Sequence, residues 1–505
     1  MSDDSVRAAI RSDAQFVVIE APAGCGKTTC AAEYAQDIAR GVVRTRPLIL
    51  PHTHAACSVF ASRARGLASR MEIRTIDSLI ANIASAYHVG LGLPKDIQQW
   101  IRQGNKRHEK LASKVATLLN QHPIIPVSLA QRHQTVICDE HQDSGSAQHS
   151  IVMSLGAMGA KLRVFADPMQ RIFGSDSSTG AGYSWQELTQ VAHAFEQLDT
   201  PHRWKSGCIQ LGNWTLAARR NLADGRPINL HAGLPPSVTV VFAENQSDSR
   251  FNYRLSYSDR KPIDEFEQRE QNSLLILTHY NETAESFRSL FHRRISLWEG
   301  HTRDSLEKLV NKINVFTGDS ESLGKALVEF MGEVGKGFSQ SKFGDRLLAE
   351  IRNNCTKKSS GKPAAIQEIA KILLSESDHH GVAKALRRTF ELKKERKDFA
   401  NIEIDRLKEF SEAVRLDSFA TAEEGLTGIM HHRTYSRPHP PGRAISTIHK
   451  AKGLECESVI LMPCDAHTFP DKDVARCLLY VALSRARSRL LLVLSRNKPS
   501  PLFVF

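Results

Sequence analysis

The sequence lacks any long hydrophobic run. Its longest uninterrupted apolar segment, Cys477–Leu483, is far shorter than the ~18–20 residues that a membrane-spanning helix requires. The N-terminus reads MSDDSVRAAI and is polar and acidic before its first arginine, whereas a secretory signal peptide begins with basic and then apolar residues. We therefore expect no membrane association and a cytoplasmic location.

Paired cysteines are missing as well. The nine cysteines are scattered along the chain, and no two of them form a CxxC unit. No spacing of Cys or His matches a zinc or iron–sulfur site, so we interpret the thiols as reduced and structural. The sequence also contains no internal repeat and no low-complexity tract, which argues against solenoid and fibrous architectures.

Positive charge, in contrast, is in excess. Lys and Arg together number 67 against 55 Asp and Glu, which gives a formal net charge of +12. The apolar fraction of 41% is typical of a globular protein, and a length of 505 residues corresponds to several domain-sized units. A basic balance of this size favours a polyanionic partner, most simply nucleic acid.

A phosphate-binding loop is predicted near the N-terminus. Phe16–Glu20 is a short β-branched run typical of a buried strand, and it leads through APAGCGKT into a helical pattern. Gly24 and Gly26 allow backbone N–H groups to turn towards phosphate oxygens. Lys27 supplies positive charge for the β- and γ-phosphates, and Thr28 offers a hydroxyl to Mg²⁺. The expected nucleotide-binding residues of this loop are Ala23, Gly24, Cys25, Gly26, Lys27, Thr28 and Thr29.

Two carboxylates follow a second predicted strand. Thr135–Cys138 is apolar and β-branched, and it runs directly into Asp139 and Glu140. An aspartate at the carboxyl end of a parallel strand can hold Mg²⁺ beside the phosphate loop, together with the hydroxyl of Thr28. The neighbouring glutamate is then placed to polarise the attacking water. The pattern therefore predicts Mg²⁺-dependent hydrolysis of a nucleotide.

Further motifs near the C-terminus make this pattern more specific. The segments AISTIHKAKGLE and LLYVALSRAR, together with the two motifs above, resemble the UvrD/Rep/PcrA branch of superfamily 1 helicases, which also includes the RecB and AddA subunits. The resemblance covers most of the chain. The corresponding segments occur in the family's order and are Ala21–Thr28, Asp139–Asp143, Asp167–Gln170, His202-Arg203, Thr447–Glu455 and Tyr480–Ala486.

The resemblance implies an α/β fold with two RecA-like P-loop lobes. In the family, each lobe is built on a parallel sheet and carries a helical insertion, and ATP lies between the lobes. The expected first lobe comprises residues 1–79 and 135–197, interrupted by a short helical insertion at 80–134. The expected second lobe comprises residues 198–291 and 443–505, interrupted by a helical insertion at 292–442.

The resemblance also assigns roles to residues around ATP. From the first lobe, Gln170 would sense the γ-phosphate and Gln142 would couple that site to the rest of the protein. From the second lobe, Arg203 and Arg485 would act as arginine fingers, since a guanidinium can donate bidentately to phosphoryl oxygens as charge develops. Glu455 would meet the ribose. The expected catalytic residues are therefore Glu140, Gln170, Arg203 and Arg485, with ATP and Mg²⁺ as cofactors.

The motifs that face the DNA strand depart from the family's pattern. Ser175 and Asp176 stand where the family has a base-stacking Trp and its neighbouring Arg. Because stacking is worth ~1–3 kcal/mol per base, we expect a lower affinity for single-stranded DNA. The excess of Lys and Arg should then contribute more of the binding free energy through contacts with phosphates. The family's adenine-reading Gln falls at Val6, so selectivity for ATP over GTP stays open, with ATP expected.

Two functions fit this combination. The first is an ATP-driven DNA helicase or translocase of 3′→5′ polarity that acts on single strands or DNA ends in antiphage defence or DNA repair. The alternative is a DNA-stimulated ATPase that regulates a partner nuclease and unwinds little. The chain is similar to the UvrD-like subunit of the Gabija antiphage system in its Thr75–Asp77 motif, its short first insertion and its end soon after Leu494. An inactive scaffold is disfavoured because Lys27, Glu140 and Arg485 are present.

Overall fold

Two units make up the computed structural model of the chain, which describes residues 2–41, 46–64, 66–102, 106–172, 183–247, 252–298, 304–435 and 442–505. The first unit comprises Met1–His292 together with Gly442–Phe505. The second unit comprises Arg293–Pro441. The first unit contains the phosphate-binding loop and both C-terminal motifs, so the candidate site belongs to it.

The first lobe of this unit is built on six parallel strands. The strands are β1 (Phe16–Glu20), β2 (Leu48–Leu50), β3 (Glu72–Ile73), β4 (Thr135–Cys138), β5 (Lys161–Ala166) and β6 (Ala194–Gln197). They lie in the order β3-β2-β4-β5-β1-β6. Every residue of β1 and β4 is buried, which explains their nearly continuous apolar sequences. Since β5 separates β1 from β4, the segments that follow these three strands leave the sheet at one edge.

Helices connect the strands of the first lobe, as parallel pairing requires. Within the predicted insertion, the helix Arg107–Gln121 packs on the helices Ile76–Ala86 and Ser146–Ala157. Its buried residues Leu111, Val115 and Leu119 are spaced four apart and therefore lie on one face. The helices are α1 (Ser2–Arg11), α2 (Lys27–Arg40), α3 (His54–Arg63), α4 (Ile76–Ala86), α5 (Ile97–Arg102), α6 (Arg107–Gln121), α7 (Ile124–Arg132), α8 (Ser146–Ala157) and α9 (Trp185–Gln190).

The chain enters the second lobe after β6, through a segment anchored by Trp204. The Trp204 side chain is fully buried. A Cβ atom at Gly212 would lie 2.8 Å from the Trp204 ring, so a glycine is needed where the helix Ile209–Ala223 crosses that ring. The elements of this part are α10 (Ile209–Ala223), β7 (Ile228–Asn229), β8 (Val238–Phe242), α11 (Tyr257–Arg269), β9 (Leu274–Thr278) and α12 (Asn281–Leu290).

The second unit is mainly helical and has its own apolar core. In its second helix the buried residues Leu323, Leu327, Phe330 and Val334 recur at the spacing of a single helix face. Its elements are β10 (Ser296–Leu297), α13 (Asp304–Phe316), α14 (Ser320–Val334), β11 (Gly335–Lys336), α15 (Asp345–Arg352), α16 (Gly361–Ser375), α17 (His379–Glu395), β12 (Glu403–Ile404), α18 (Leu407–Arg415) and α19 (Ala422–Tyr435). The short strands β11 and β12 pair antiparallel.

The chain then returns to the first unit and completes the second lobe. The returning elements are β13 (Arg443–Thr447), α20 (Ile448–Ala451), β14 (Cys456–Cys464), α21 (Asp473–Leu483), β15 (Ala486–Leu494) and β16 (Phe503–Val504). Five strands of this unit lie in the order β13-β9-β14-β15-β8, and their neighbouring pairs are all parallel. β7 and β16 form a separate parallel pair.

The predicted α/β class with two parallel-sheet lobes is confirmed. The long strand β15 begins at Ala486, ahead of the apolar run Leu490–Leu494, and the short strand β16 follows it. Of the first four residues of β15, Ala486 is buried, whereas Arg487, Ser488 and Arg489 are polar and at least partly exposed. Among the described helices, none has the length and apolar composition needed to cross a membrane.

Candidate nucleotide-binding site

The phosphate loop connects β1 to α2 and requires its glycines for two reasons. Gly24 and Gly26 have φ angles of 75° and 87°, in the left-handed region that glycine adopts without strain. A side chain at Gly24 would also approach Arg203 Cβ to 2.7 Å and the Trp204 ring to 2.8 Å. Because α2 begins at Lys27, the positive end of its dipole lies at the loop. The loop is therefore shaped for phosphate oxygens and packs directly against the second lobe.

Lys27 lies against the two carboxylates that follow β4. Its Nζ is 2.5 Å from Glu140 Oε1 and 3.8 Å from Asp139 Oδ1. Burial of the side chain favours the neutral amine, but the two carboxylates outweigh burial and hold the pKa of Lys27 above its ordinary value. Lys27 is therefore a fixed positive charge beside the phosphate loop.

A hydroxyl and a carboxylate meet next to this lysine. Thr28 Oγ1 donates to Asp139 Oδ2 at 3.2 Å, and Asp139 is buried at the end of β4. Burial raises the pKa of Asp139 to about 6, although the charge of Lys27 acts in the opposite direction. A buried carboxylate beside a hydroxyl is a set of oxygen donors that suits Mg²⁺. The residues present therefore fit an ion held by Thr28 and Asp139.

Glu140 has a left-handed backbone conformation. Its φ and ψ angles are 57° and 37°, which costs on the order of 1–3 kcal/mol for a residue other than glycine. Its N–H donates to Asp139 Oδ1 at 3.0 Å, and its carboxylate contacts Lys27 and accepts from Gln142. Burial opposes ionisation, but Lys27 and Lys452 hold the pKa of Glu140 below its ordinary range. Glu140 is therefore ionised, as a carboxylate that polarises a water has to be.

Hydrogen bonds connect Glu140 to the turn that follows β5. Gln142 Nε2 donates to Glu140, and Gln142 Oε1 accepts from the N–H of Asp167 at 3.0 Å. Asp167 is fully buried, and its Oδ2 accepts from Gln170 Nε2 at 2.8 Å. The two glutamines expected on the γ-phosphate side therefore share one network with the carboxylate expected to polarise the water.

Arg203 reaches the phosphate loop from the second lobe. Its backbone N–H donates to Gly24 O at 3.0 Å, and its guanidinium donates to Ser484 O at 2.7 Å. The same guanidinium pairs with Glu455 at 2.8 Å. The neighbouring Trp204 fixes the segment, because its indole N–H donates to the first carbonyl of β15 at 2.7 Å. Two predicted residues from distant parts of the sequence, Arg203 and Glu455, are thus brought together beside the loop.

Arg485 is buried inside the second lobe. Its guanidinium donates to Val481 O at 2.8 Å, to Leu454 O at 3.0 Å and to Ser484 Oγ at 2.7 Å. Burial lowers the pKa of Arg485 to about 9, and the positive charge of Arg203 acts in the same direction. These hydrogen bonds all lie within the second lobe. A role as an arginine finger would require the side chain to leave them, and it stays a prediction.

The remaining predicted residues of the loop have protein partners. The N–H of Ala23 donates to Tyr480 OH at 2.8 Å, which adds another contact from the second lobe. Cys25 is buried, and burial raises the pKa of its thiol to about 12, so the thiol stays neutral. Thr29 Oγ1 accepts from Arg63 Nη1 at 2.7 Å. The loop is therefore held in shape by both lobes.

A cavity of about 160 Å³ adjoins the loop. Cys25 and Gly26 of the loop line it, together with Asp3, Arg7 and His202 among others. His202 Nε2 lies 2.6 Å from Asp3 Oδ2, so the second lobe also contacts α1 here. The cavity is therefore bordered by the loop, by α1 and by the start of the second lobe.

Sequence reasoning assigned no role to Lys452, although it lies in a recognised motif. Its Nζ donates to Asp143 Oδ1 and Oδ2 at 2.7 and 2.6 Å, and to Gln170 O at 2.7 Å. Lys452 therefore connects the second lobe to both carboxylate-bearing turns of the first. The motif resemblance pointed to the segment, but only tertiary contacts identify this lysine as the link.

Sequence reasoning missed Arg219 entirely. This arginine lies in α10 and forms ion pairs with Asp167 at 2.7 Å and Glu20 at 2.6 Å. A signal was available, because Arg219 falls on the same helix face as the buried Leu211 and Leu222. A cation on an apolar helix stripe indicates a buried carboxylate partner, since buried charges are rarely left unpaired.

Comparison with known protein families agrees with this geometry. The family model of the UvrD-like helicase C-terminal domain matches residues 443–493, and that of an AAA domain matches residues 3–233. No protein of curated function matches the chain. The two matches support a superfamily 1 helicase-like protein with a nucleotide-dependent activity. The AAA domain implies nucleotide binding, typically with Mg²⁺, and the helicase domain implies binding of nucleic acid.

Proposed function

We propose that this protein is an ATP-dependent DNA translocase or helicase whose ATP site is shared by its two lobes. The observation that carries the proposal is the contact of Arg203 with the phosphate loop. This residue of the second lobe donates its N–H to Gly24 O at 3.0 Å, while its guanidinium pairs with Glu455. A nucleotide at the loop would touch both lobes, so its hydrolysis would change the contacts between them.

Residues of the first lobe would carry out hydrolysis. The loop and Lys27 would hold the β- and γ-phosphates, and Thr28 and Asp139 would hold Mg²⁺, whose charge neutralises that of the phosphates. Glu140 would accept a hydrogen bond from the attacking water, because it is ionised and lies next to the lysine. Gln170 would sense the γ-phosphate, and its hydrogen-bond network would connect it to Glu140.

Residues of the second lobe would stabilise the transition state. Arg203 and Arg485 would supply positive charge to the phosphoryl group, and an arginine in this role is worth about 10³–10⁵-fold in rate. Arg203 now pairs with Glu455. When Arg203 turns to the phosphate, Glu455 loses its partner and becomes available to the ribose hydroxyls. Nucleotide binding and the release of Glu455 would therefore occur together.

DNA is the proposed polyanionic partner. The net charge of +12 favours DNA. Not every basic side chain can contact DNA phosphates freely, however, because some pair with carboxylates of the protein itself. Arg388 in the basic helix α17, for example, pairs with three carboxylates of its own unit. Ser175 and Asp176 lie outside the described residues. From the motif resemblance we propose 3′→5′ polarity and a role in antiphage defence or DNA repair.

The first test is ATP hydrolysis by the full chain with and without single-stranded DNA. We expect hydrolysis that DNA stimulates, and a loss of at least about 100-fold in Lys27→Ala. Lys161→Ala is the matched control, because Lys161 pairs with the exposed Asp13 at 2.9 Å and does not contact the loop. The proposal fails if the wild-type chain hydrolyses no nucleotide, or if Lys27→Ala retains wild-type turnover.

A regulatory ATPase that controls a partner nuclease is the second candidate. It is favoured by the small size of the first insertion, where the described part of residues 80–134 contains α5, α6, α7 and the end of α4. Strand displacement on duplexes with a 3′ or a 5′ single-stranded tail separates the candidates. Displacement of the 3′-tailed duplex supports the helicase and its polarity, whereas DNA-stimulated hydrolysis without displacement supports the regulatory ATPase.

A further inference from the structure

We propose that Arg219 is a positioning residue through which the second lobe holds the turn on the γ-phosphate side of the site. The inference rests on the proposed ATP hydrolysis and deepens it by naming a residue that couples the lobes. Arg219 belongs to none of the motif segments. It lies in α10, is 6% exposed and is surrounded by first-lobe carboxylates.

The Arg219 guanidinium bridges the ends of two neighbouring strands. Its Nη2 donates to Glu20 Oε1 at 2.6 Å and to Asp167 Oδ1 at 2.7 Å, and its Nε donates to Asp167 Oδ1 at 3.1 Å. Glu20 ends β1 immediately before the phosphate loop, and Asp167 directly follows β5, which pairs with β1. One side chain of the second lobe therefore contacts both segments that frame the phosphate site.

Asp167 connects Arg219 to the residues expected to act on ATP. While its Oδ1 accepts from Arg219, its Oδ2 accepts from Gln170 Nε2 at 2.8 Å. Its backbone N–H donates to Gln142 Oε1 at 3.0 Å, and Gln142 in turn donates to Glu140. Arg219 is thus linked through Asp167 to both the γ-phosphate sensor and the carboxylate that polarises water.

The charge balance makes this link sensitive to the position of the second lobe. Asp167 is fully buried, so without Arg219 its negative charge would lack its cationic partner. The carboxylate would then turn away from its present position, and this change would alter the acceptor that orients Gln170. Because α10 belongs to the second lobe, separation of the lobes would withdraw Arg219. The turn would therefore adopt its working arrangement only when the lobes are together.

Arg163 provides a matched control for the loss of a buried arginine. It is fully buried in β5, and its guanidinium donates to the carbonyl oxygens of Ile10 at 2.6 Å and Ser12 at 2.9 Å. These partners belong to the α1 region and do not include the Asp167 network. Arg163→Lys therefore reports the general cost of shortening a buried arginine in the first lobe, without changing the proposed link.

The experiment compares the full-length wild type with Arg219→Lys and Arg163→Lys. Lysine keeps the charge but lacks the fork that contacts Glu20 and Asp167 together. For Arg219→Lys we expect kcat of ATP hydrolysis to fall about 10–100-fold, as for a misplaced catalytic group. The Kd of a fluorescent ATP analogue should change less than about threefold, because the phosphate loop is untouched. Arg163→Lys should lower the melting temperature but leave kcat unchanged.

The outcomes separate this inference from the proposed function. If Arg219→Lys keeps the wild-type kcat, or loses nucleotide affinity in proportion to kcat, the positioning role is wrong. If the wild type binds but does not hydrolyse nucleotide, the proposed function fails and the inference fails with it. If Arg219→Lys does not fold, Asp167→Asn weakens the same contact from the other side. The same selective loss of kcat is expected there, and wild-type kcat in that variant overturns the inference.

Discussion

Lys27 Nζ lies 2.5 Å from Glu140 Oε1. The lysine is the residue expected to bind the β- and γ-phosphates, and the glutamate is the one expected to polarise the water. If Lys27 binds these phosphates, a nucleotide would compete with Glu140 for the lysine. The carboxylate would then be released beside the γ-phosphate. Nucleotide binding would thus prepare the residue that hydrolysis needs.

A methyl group at Gly24 should disrupt the loop and its contact with the second lobe. Gly24→Ala would place Cβ 2.7 Å from Arg203 Cβ, and the φ angle of 75° would also be strained. We expect at least about a tenfold loss of nucleotide affinity, because the backbone N–H groups can no longer surround the phosphates. Binding of a fluorescent ATP analogue measures this loss.

Gly233→Ala is the matched control for backbone strain. Gly233 has a φ angle of 74°, and no described atom lies within 4 Å of a Cβ built there. The two substitutions therefore share the strain, whereas only Gly24→Ala adds the close approach to Arg203. Equal nucleotide affinity in the two variants would show that contact between the loop and the second lobe is unimportant.

Replacement of Arg203 should affect turnover more than binding. For Arg203→Ala we expect kcat to fall by at least about 100-fold, since the positive charge would be lost from the transition state. The Kd of nucleotide should change much less, because Lys27 and the loop remain. Arg203→Lys should not restore kcat, since the ammonium of lysine lacks the planar fork with which a guanidinium donates bidentately to phosphoryl oxygens.

The Arg203 prediction is checked by single-turnover hydrolysis beside equilibrium binding. Arg220→Ala is a suitable control, because Arg220 lies in α10 near Arg219 and its Nε donates to Leu216 O within its own helix. Turnover in Arg220→Ala should equal that of the wild type. A wild-type kcat in Arg203→Ala would show that Arg203 is not an arginine finger. Stabilisation of the transition state would then have to come from Lys27 and Mg²⁺.

Stability should fall in acid through His149, a half-buried histidine that follows the Asp139–Asp143 motif. His149 accepts or donates a hydrogen bond with His141 at 3.0 Å and stacks on Tyr183 at 4.2 Å. Burial lowers the pKa of His149 to about 4. Because its pKa is lower in the folded chain, the unfolded chain binds more protons between about pH 6.5 and 4. Stability from this residue is thus complete above that window and is lost as pH falls through it.

His149→Phe should reduce this loss, since the ring stack on Tyr183 can remain while the titrating group is removed. We expect a smaller difference in melting temperature between about pH 7.5 and 4.5 in this variant than in the wild type. The exposed His122 supplies the control His122→Phe, which should match the wild type. An unchanged pH dependence in His149→Phe would show that other groups control acid unfolding.

Local patterns were enough for the parts of the site that are continuous in sequence. Lys27 and Thr28 follow one buried apolar strand, and Asp139 and Glu140 follow another, so the strands and the positions of these residues after them could be predicted together. The α/β class with two parallel-sheet lobes is confirmed. It could be predicted because buried parallel strands are apolar along their length. The roles assigned to individual residues stay predictions.

Long-range pairing could not be predicted in this way. Arg219 pairs with Asp167 and Glu20, which lie 52 and 199 positions away in sequence. That pairing depends on how α10 docks against the first lobe, and no local periodicity specifies docking. The partners of Arg485 are a similar case, since a motif marks the residue but not whether its guanidinium faces the nucleotide or its own lobe.

Binding of single-stranded DNA should be weak and strongly dependent on salt. By the motif resemblance, Ser175 and Asp176 correspond to the family's stacking Trp and its Arg, so Ser175→Trp combined with Asp176→Arg should tighten binding by about tenfold. The wild type should lose affinity steeply as salt rises, because phosphate contacts dominate its binding. Fluorescence anisotropy with a labelled oligonucleotide measures both effects. Unchanged affinity in the double variant would show that these positions do not contact the strand.

The most direct test of the account is single-turnover ATP hydrolysis by Glu140→Gln. The glutamine keeps the size of the side chain but removes the charge that polarises water and that now pairs with Lys27. We predict that hydrolysis slows by about 10²–10⁴-fold, while the Kd of a fluorescent ATP analogue stays equal to that of the wild type or decreases. Glu187→Gln, at an exposed position of α9, should behave as the wild type. Wild-type hydrolysis by Glu140→Gln would contradict the account.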